Sequence, residues 1–250
     1  MTDAEILANA DPDDLDGDGI SGRPNWIDLP SFVVPRENAV MQGGKYLGRF
    51  GKRAIAYSIF EQIVKAYKED IGINTSYDPI DTYTGQPVTE EVDNQQVLDL
   101  EFYMRTLRAP IPRADLDKEH LRGQQLFRDL KCASCHIPKM TTGDSPIKAL
   151  AFKEFSAYTD LLLHDMGTGL DDGYAEGESK TYEWRTPALW GLGLAPDSQG
   201  GSYHLLHDGR AGSIDEAILF HGGEAAESRT NYRNLLQADK DAIIKFLESL

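Results

Sequence analysis

The sequence predicts a mostly α protein, on three observations. Apolar residues recur at helical spacing in several stretches. No stretch alternates apolar and polar residues in the manner of a half-buried strand. What remains, above all residues 138–212, is Gly-rich and irregular and reads as loop with short helical pieces near LLLH and TPALW.

In chain order, DAEILANA (3–10) predicts a short helix capped by Asp3, followed by the Gly/Asp-rich loop DPDDLDGDGISGRPN. Ile55, Ile59, Ile63, Val64 and Tyr67 place an amphipathic helix over 53–70. After the loop SYDPIDTYTGQPV, a helix over 90–108 carries Val97, Leu100, Tyr103, Met104 and Leu107 on one face. APIPRADLD (109–117) breaks the pattern with two prolines and marks a boundary. It divides a helical and loop-rich segment, 1–112, from a second unit, 113–250. A helix from Leu116 to Leu130 opens that unit. SIDEAILF follows with Ser213 as cap and Glu216 completing a capping box. The chain ends in a helix with Ala242, Ile243, Phe246 and Leu247 in one stripe.

Composition narrows the function. With 250 residues and 40% apolar side chains there is material for a real core. No run of about 18 apolar residues is present, so no membrane span is expected. The net charge of −16 repels phosphate backbones and excludes nucleic acid as an expected partner. It suits a basic protein partner, or simply keeps the surface soluble. The opening MTDAEILANADPDD has neither a basic n-region nor an apolar h-region.

The only two cysteines, Cys132 and Cys135, are followed at once by His136 in KCASCHIP. C-x-x-C-H is the attachment signature of c-type haem. Two thiols on one turn of chain reach the two vinyl groups of a porphyrin, and the adjacent imidazole is held towards iron. A thioredoxin-like pair would need a βαβ context, which is not expected here. A structural zinc site would need four ligands, and there is no second cysteine pair. Haem c attachment takes place outside the cytoplasm in bacteria, so the expected compartment is the periplasm. Gly123 and Phe127 give G-x-x-x-F on the helix leading into the motif, which resembles the opening of cytochrome c domains. The small Gly would let the last helix cross closely, with Phe246 and Leu247 as contacts. The fold expectation is therefore a cytochrome c-like haem domain over 113–250 with a helical, loop-rich segment before it.

The segments DPDDLDGDGISGRPN, LGRFGKRA, FYMRTLRAP, CASCH, DLLLHDMG, EWRTPALWGLGL, LHDGRAGSIDEAILFHGGEA and FLESL occur in this order. Together they resemble the C-terminal half of the di-haem oxidoreductase (thiol oxidoreductase-like) family. That family is related to bacterial di-haem cytochrome c peroxidases and to the di-haem enzyme that matures methylamine dehydrogenase. The resemblance covers nearly all of the chain. It departs in two places: the upstream C-x-x-C-H of the family is absent, and Lys52 follows GRFG where an aromatic residue is usual. The resemblance implies a peroxidase-like oxidoreductase whose partner is a redox protein or the family's N-terminal haem domain, with 1–112 as an inter-domain region. The single motif favours the rival reading, a non-enzymatic mono-haem electron carrier. If the cysteines stay free, a calcium- or zinc-stabilised interaction domain is left. No residue is assigned a catalytic role.

Candidates for the iron position opposite His136 are His164, Met166, His204, His207 and His221. The resemblance implies His221, which falls where the related peroxidases place their axial residue, just before Gly222 and Gly223. Met166 is the alternative, because Met/His ligation is common in electron-transfer cytochromes. Otherwise His221 is a helix-terminal histidine near the C-terminal dipole and Met166 a core filler. The resemblance also places Trp184, Arg185 and Trp190 near the haem, with Arg185 as a propionate partner and Trp190 in an electron path; ordinary packing is the alternative for both tryptophans. Asp14, Asp16 and Asp18, with the Ile20 carbonyl next, give the start of a calcium loop. Its twelfth position is Asn25 rather than Glu, so a weak site and a solvated acidic turn both fit. Lys45, Arg49, Lys52 and Arg53 form a basic cluster that would face propionates, a partner or solvent.

Overall fold

The computed structural model describes residues 1–113 and 117–250. The expected helix start at Leu116 and the middle of the 109–117 boundary lie outside the described residues. Nine α-helices are present among the described residues: α1 (Asp3–Leu7), α2 (Ile59–Ile71), α3 (Asn94–Thr106), α4 (Lys118–Asp129), α5 (Cys132–Cys135), α6 (Ala195–Ser198), α7 (Ile214–Phe220), α8 (Ala226–Arg233) and α9 (Gln237–Glu248). Seven short strands among the described residues make three antiparallel sheets. β1 (Trp26–Ile27) and β2 (Met41–Gln42) flank β3 (Lys45–Leu47), β4 (Met140–Thr141) pairs with β5 (Glu154–Phe155), and β6 (Leu163–Asp165) pairs with β7 (Glu183–Arg185).

Among the described residues helix covers 35% and strand 11%. The expectation of a mostly α, cytochrome c-like domain behind a helical segment is thereby overturned: this is a mixed structure of short helices, small sheets and long irregular connections. The strands are two or three residues long, too short to show a period of two. LLLH, expected to be helical, leads into β6, whose register sets His164 opposite Trp184. TPALW forms no helix; a 3₁₀ turn at Leu192–Leu194 comes after it.

Helix boundaries follow their caps. α2 begins at Ile59 rather than 53, because the Ser58 side chain accepts from the Glu61 amide and Ala54, in a left-handed conformation at φ 54°, sits in a turn. Asp93 and Gln96 close a capping box on α3. Thr2, not Asp3, caps α1; Asp3 is buried in ion pairs with Arg36 and Arg49. Ser213 caps α7, but the Glu216 carboxylate accepts from the Gly212 amide instead of closing the box.

The main core forms where α4 crosses α9. A methyl group on Gly123 would overlap the Ala242 carbonyl, and would lie 2.9 Å from Cβ of Phe246. Phe127 packs on Phe246 with centroids 5.4 Å apart, and Tyr158 sits edge-on to both. Residues 1–112 are tied to the rest by buried polar contacts. Arg23 pairs with Glu183. Buried Asn25 donates to the carbonyls of Arg53 and Glu176, and buried Arg53 pairs with Asp172. No described helix is long and apolar enough to cross a membrane.

Candidate functional site

A cavity of about 410 Å³ opens above the α4/α9 core. Cys132, Cys135 and His136 line it, with Phe127, Leu130, Ile243 and Leu247 from the core side. All five candidate axial residues, His164, Met166, His204, His207 and His221, line it as well. α4 ends at a left-handed Lys131 (φ 63°), and this turn starts the short helix α5 carrying both cysteines. His136 caps that helix; His221 caps α7.

Hydrogen bonding separates the candidates. Nδ1 of His136 lies 3.0 Å from the Tyr158 carbonyl, and Nδ1 of His221 lies 2.7 Å from the Ala217 carbonyl. A carbonyl only accepts, so each Nδ1 carries the proton and each Nε2 carries the lone pair. Neither Nε2 has a hydrogen-bond partner among the described residues. Burial pushes the His136 pKa down to about 4, against the raising effect of its bond to Tyr158; burial also lowers that of His221. Both rings are therefore neutral imidazoles held by a backbone carbonyl, the arrangement of metal-binding histidines.

His164 is different. Its Nε2 donates to Asp160 at 2.8 Å and its Nδ1 to Glu224 at 2.7 Å. Burial alone would favour the neutral ring, but Asp160, Cys135 and Glu224 hold its pKa well above the ordinary value. An imidazolium with both nitrogens engaged has no lone pair for iron. His207 is stacked on Trp184, centroids 3.6 Å apart and planes 10° from parallel. His204 is exposed. Met166 remains in the cavity wall.

The thiols are not activated. Burial pushes Cys132 up to about 12 and raises Cys135 as well, the latter against the pull of His164. A thioredoxin-like pair has the opposite character. Arg185 lines the cavity, donating Nε to the Gly51 carbonyl at 2.8 Å and Nη1 to the Thr186 carbonyl at 3.0 Å. It forms no ion pair among the described residues. An apolar cavity with two protonated thiols, two neutral imidazoles and a guanidinium lacking a carboxylate fits a haem and its propionates.

Trp184 lines this cavity, with the Arg53 guanidinium 3.7 Å from its ring centroid. Trp190 does not; it is 39% exposed and lines an outer cleft with Pro110 and Leu194. The basic cluster is dispersed: Lys45 pairs with Glu178, Arg49 with Asp3, Arg53 with Asp172, and Lys52 donates to the His207 carbonyl at the cavity. In the acidic loop the carboxylates of Asp11, Asp14 and Asp16 converge within 4.8 Å. Asp18 instead accepts from the Ile20 amide, and Ile20 lines the cavity. Asn25 is occupied elsewhere, so it is no twelfth ligand. Sequence reasoning missed Glu224 and Ser21, which hold each other at 2.6 Å; a glutamate three residues past His221 was the available signal.

The chain matches, over residues 1–250, the family described as "Di-haem oxidoreductase, putative peroxidase". No curated protein matches it. Among solved structures it is similar to the hydrazine synthase of Kuenenia stuttgartiensis, at 19% identity and a TM-score of 0.39, over 68% of this chain and 58% of that one. The family match runs the full length of the sequence and agrees with the haem-fitting cavity: the chain belongs to the di-haem oxidoreductases, and its cofactor is haem.

Proposed function

We propose that the chain carries one haem c, attached through Cys132 and Cys135 and ligated by His136 and His221, and that it passes single electrons to and from a redox partner protein. The observation that carries this is the shared state of the two imidazoles: each lines the cavity of the cysteines, with Nδ1 fixed on a carbonyl and Nε2 unengaged. The bound haem supplies a reversible one-electron couple at iron. The protein's own residues do the rest. Cys132 and Cys135 would hold the porphyrin through thioethers, each S–H adding across a vinyl group with no atom lost, the apolar walls would exclude water, and Arg185 would neutralise a propionate. Two imidazoles committed to one iron suit electron transfer rather than peroxide capture. Haem c attachment implies a periplasmic site of action. Calcium in the acidic loop at Asp11, Asp14 and Asp16 is a separate structural proposal.

Co-expression with a haem c maturation system tests the reading. Mass spectrometry is expected to show one added haem that survives denaturation, with no alkylatable thiol left. Apo mass with two free thiols would sink it.

A further inference from the structure

We propose that Glu224 and His164 are positioning residues for His221, forming a clamp that seats the axial-ligand loop against the cysteine segment. The inference rests on the bis-imidazole reading above. His136 is placed by its covalent neighbours. His221 is not: it lies beyond the last residue of a seven-residue helix and is followed by two glycines. A Gly-Gly stretch is conformationally free in isolation. Tertiary contacts must hold it if an imidazole is to stay on iron.

Those contacts are present. The Glu224 carboxylate accepts four hydrogen bonds: Oε1 from the Ser21 hydroxyl at 2.6 Å and the Asp165 amide at 3.1 Å, Oε2 from the Ser21 amide at 3.0 Å and His164 Nδ1 at 2.7 Å. Its lone-pair positions are filled. The backbones of the two loops also touch. A methyl group on Gly222 would lie 2.7 Å from the Met166 carbonyl, and one on Gly223 would overlap that of Asp165. His164 is fixed from behind by Asp160, whose other oxygen accepts from the Leu162 amide at 2.9 Å. Its Nδ1 also lies 3.6 Å from Sγ of Cys135. One buried ring therefore touches the attachment cysteine and holds the glutamate that anchors the opposite ligand's loop. Outer partners of this kind commonly control how well a ligand is held.

The test uses haem-loaded protein and the variants Glu224→Gln, Ser21→Ala and His221→Ala. Spin state is read from ferric optical and electron paramagnetic resonance spectra, and ligand-loop opening from the rate of cyanide binding. Glu224→Gln is expected to give a mixture of low and high spin and to speed cyanide binding on the order of tenfold. Ser21→Ala, which loses only the hydroxyl bond and keeps three of the four, is expected to act in the same direction with a smaller effect. It also serves as the readout if Glu224→Gln does not fold. An unchanged spectrum and cyanide rate in the variants that fold, with only a lower melting temperature, would reduce the clamp to general structural support. His221→Ala separates the two failures. High spin in His221→Ala beside undisturbed clamp variants defeats the clamp alone, whereas low spin in His221→Ala defeats the ligand assignment beneath it.

Discussion

The ring of His207 lies flat on that of Trp184, 3.6 Å between centroids. The Arg53 guanidinium is 3.7 Å from the same ring, and two groups this close to one centroid must occupy opposite faces. The stack makes a wall of the cavity from residues far apart in sequence, and it gives His207 a packing role. His207→Ala is expected to lower stability by about 1 kcal/mol, the usual worth of an aromatic pair, with the low-spin haem spectrum intact. Conversion to high spin would make His207 the ligand instead.

Gly123 has no room for a side chain. A Cβ there would overlap the Ala242 carbonyl in α9, so Gly123→Ala must force α4 and α9 apart. Overpacking of this kind costs about 1–3 kcal/mol or more, outweighing the roughly 1 kcal/mol of helix propensity that Ala would gain. Denaturant unfolding is expected to show a net loss of stability. A stabilised variant would mean that α9 leaves room at the crossing for a methyl group.

Glu224 gives the stability a pH dependence. Burial alone would raise its pKa, but the bonds from His164 and Ser21 and the His164 charge hold it at about 2, below the ordinary 4.5. A depressed carboxylate contributes stability above pH 4.5 that is lost as pH falls towards 2. His164 is shifted the other way, so its contribution is present below pH 6.5 and is lost as pH rises through its raised folded value. The pair therefore supports the fold most between about pH 4.5 and 6.5. Denaturant midpoints across pH are expected to fall more steeply on the acid side for the parent protein than for Glu224→Gln. Parallel curves would remove the carboxylate from the account.

The parts of the site that were legible in the sequence are those set by local spacing. Cys132, Cys135 and His136 share one turn of chain, and Gly123, Phe127 and Phe246 follow helical period, so each could be read directly. The sheets could not be. β6 and β7 are three residues each and exist because His164 meets Trp184 across a long connection. The basic residues 45–53 looked like one surface cluster because sequence proximity hides their partners; Arg49 and Arg53 are buried against carboxylates from distant segments. In EWRTPALW the sequence points to Trp190 for the electron path, but the turn between the two tryptophans sends Trp184 to the cavity and Trp190 outward.

In the acidic loop, Asp11, Asp14 and Asp16 crowd three carboxylates within 4.8 Å. Like charges so placed repel unless a cation or full solvation relieves them. Millimolar calcium is expected to raise the melting temperature by linkage, and Asp14→Ala to abolish the rise. Melting curves indifferent to calcium in both proteins would leave a solvated turn.

The decisive prediction concerns the sixth ligand, because axial identity is a main lever on haem potential. His221 presents a neutral imidazole whose Nδ1 is committed to Ala217, while Met166 offers a thioether from the neighbouring wall. Bis-imidazole ligation is expected to give a low-spin centre without the near-infrared charge-transfer band of Met ligation. His221→Ala should open the site to water or added cyanide. His221→Met should keep six coordination and raise the midpoint potential, since a thioether raises it relative to imidazole. Met166→Ala should leave the spectrum low-spin, because its side chain is then only wall. The reverse pattern, an undisturbed low-spin spectrum in His221→Ala with high spin in Met166→Ala, would transfer the assignment to Met166. It would also leave the fixed tautomer of His221 as a feature of the α7 terminus alone.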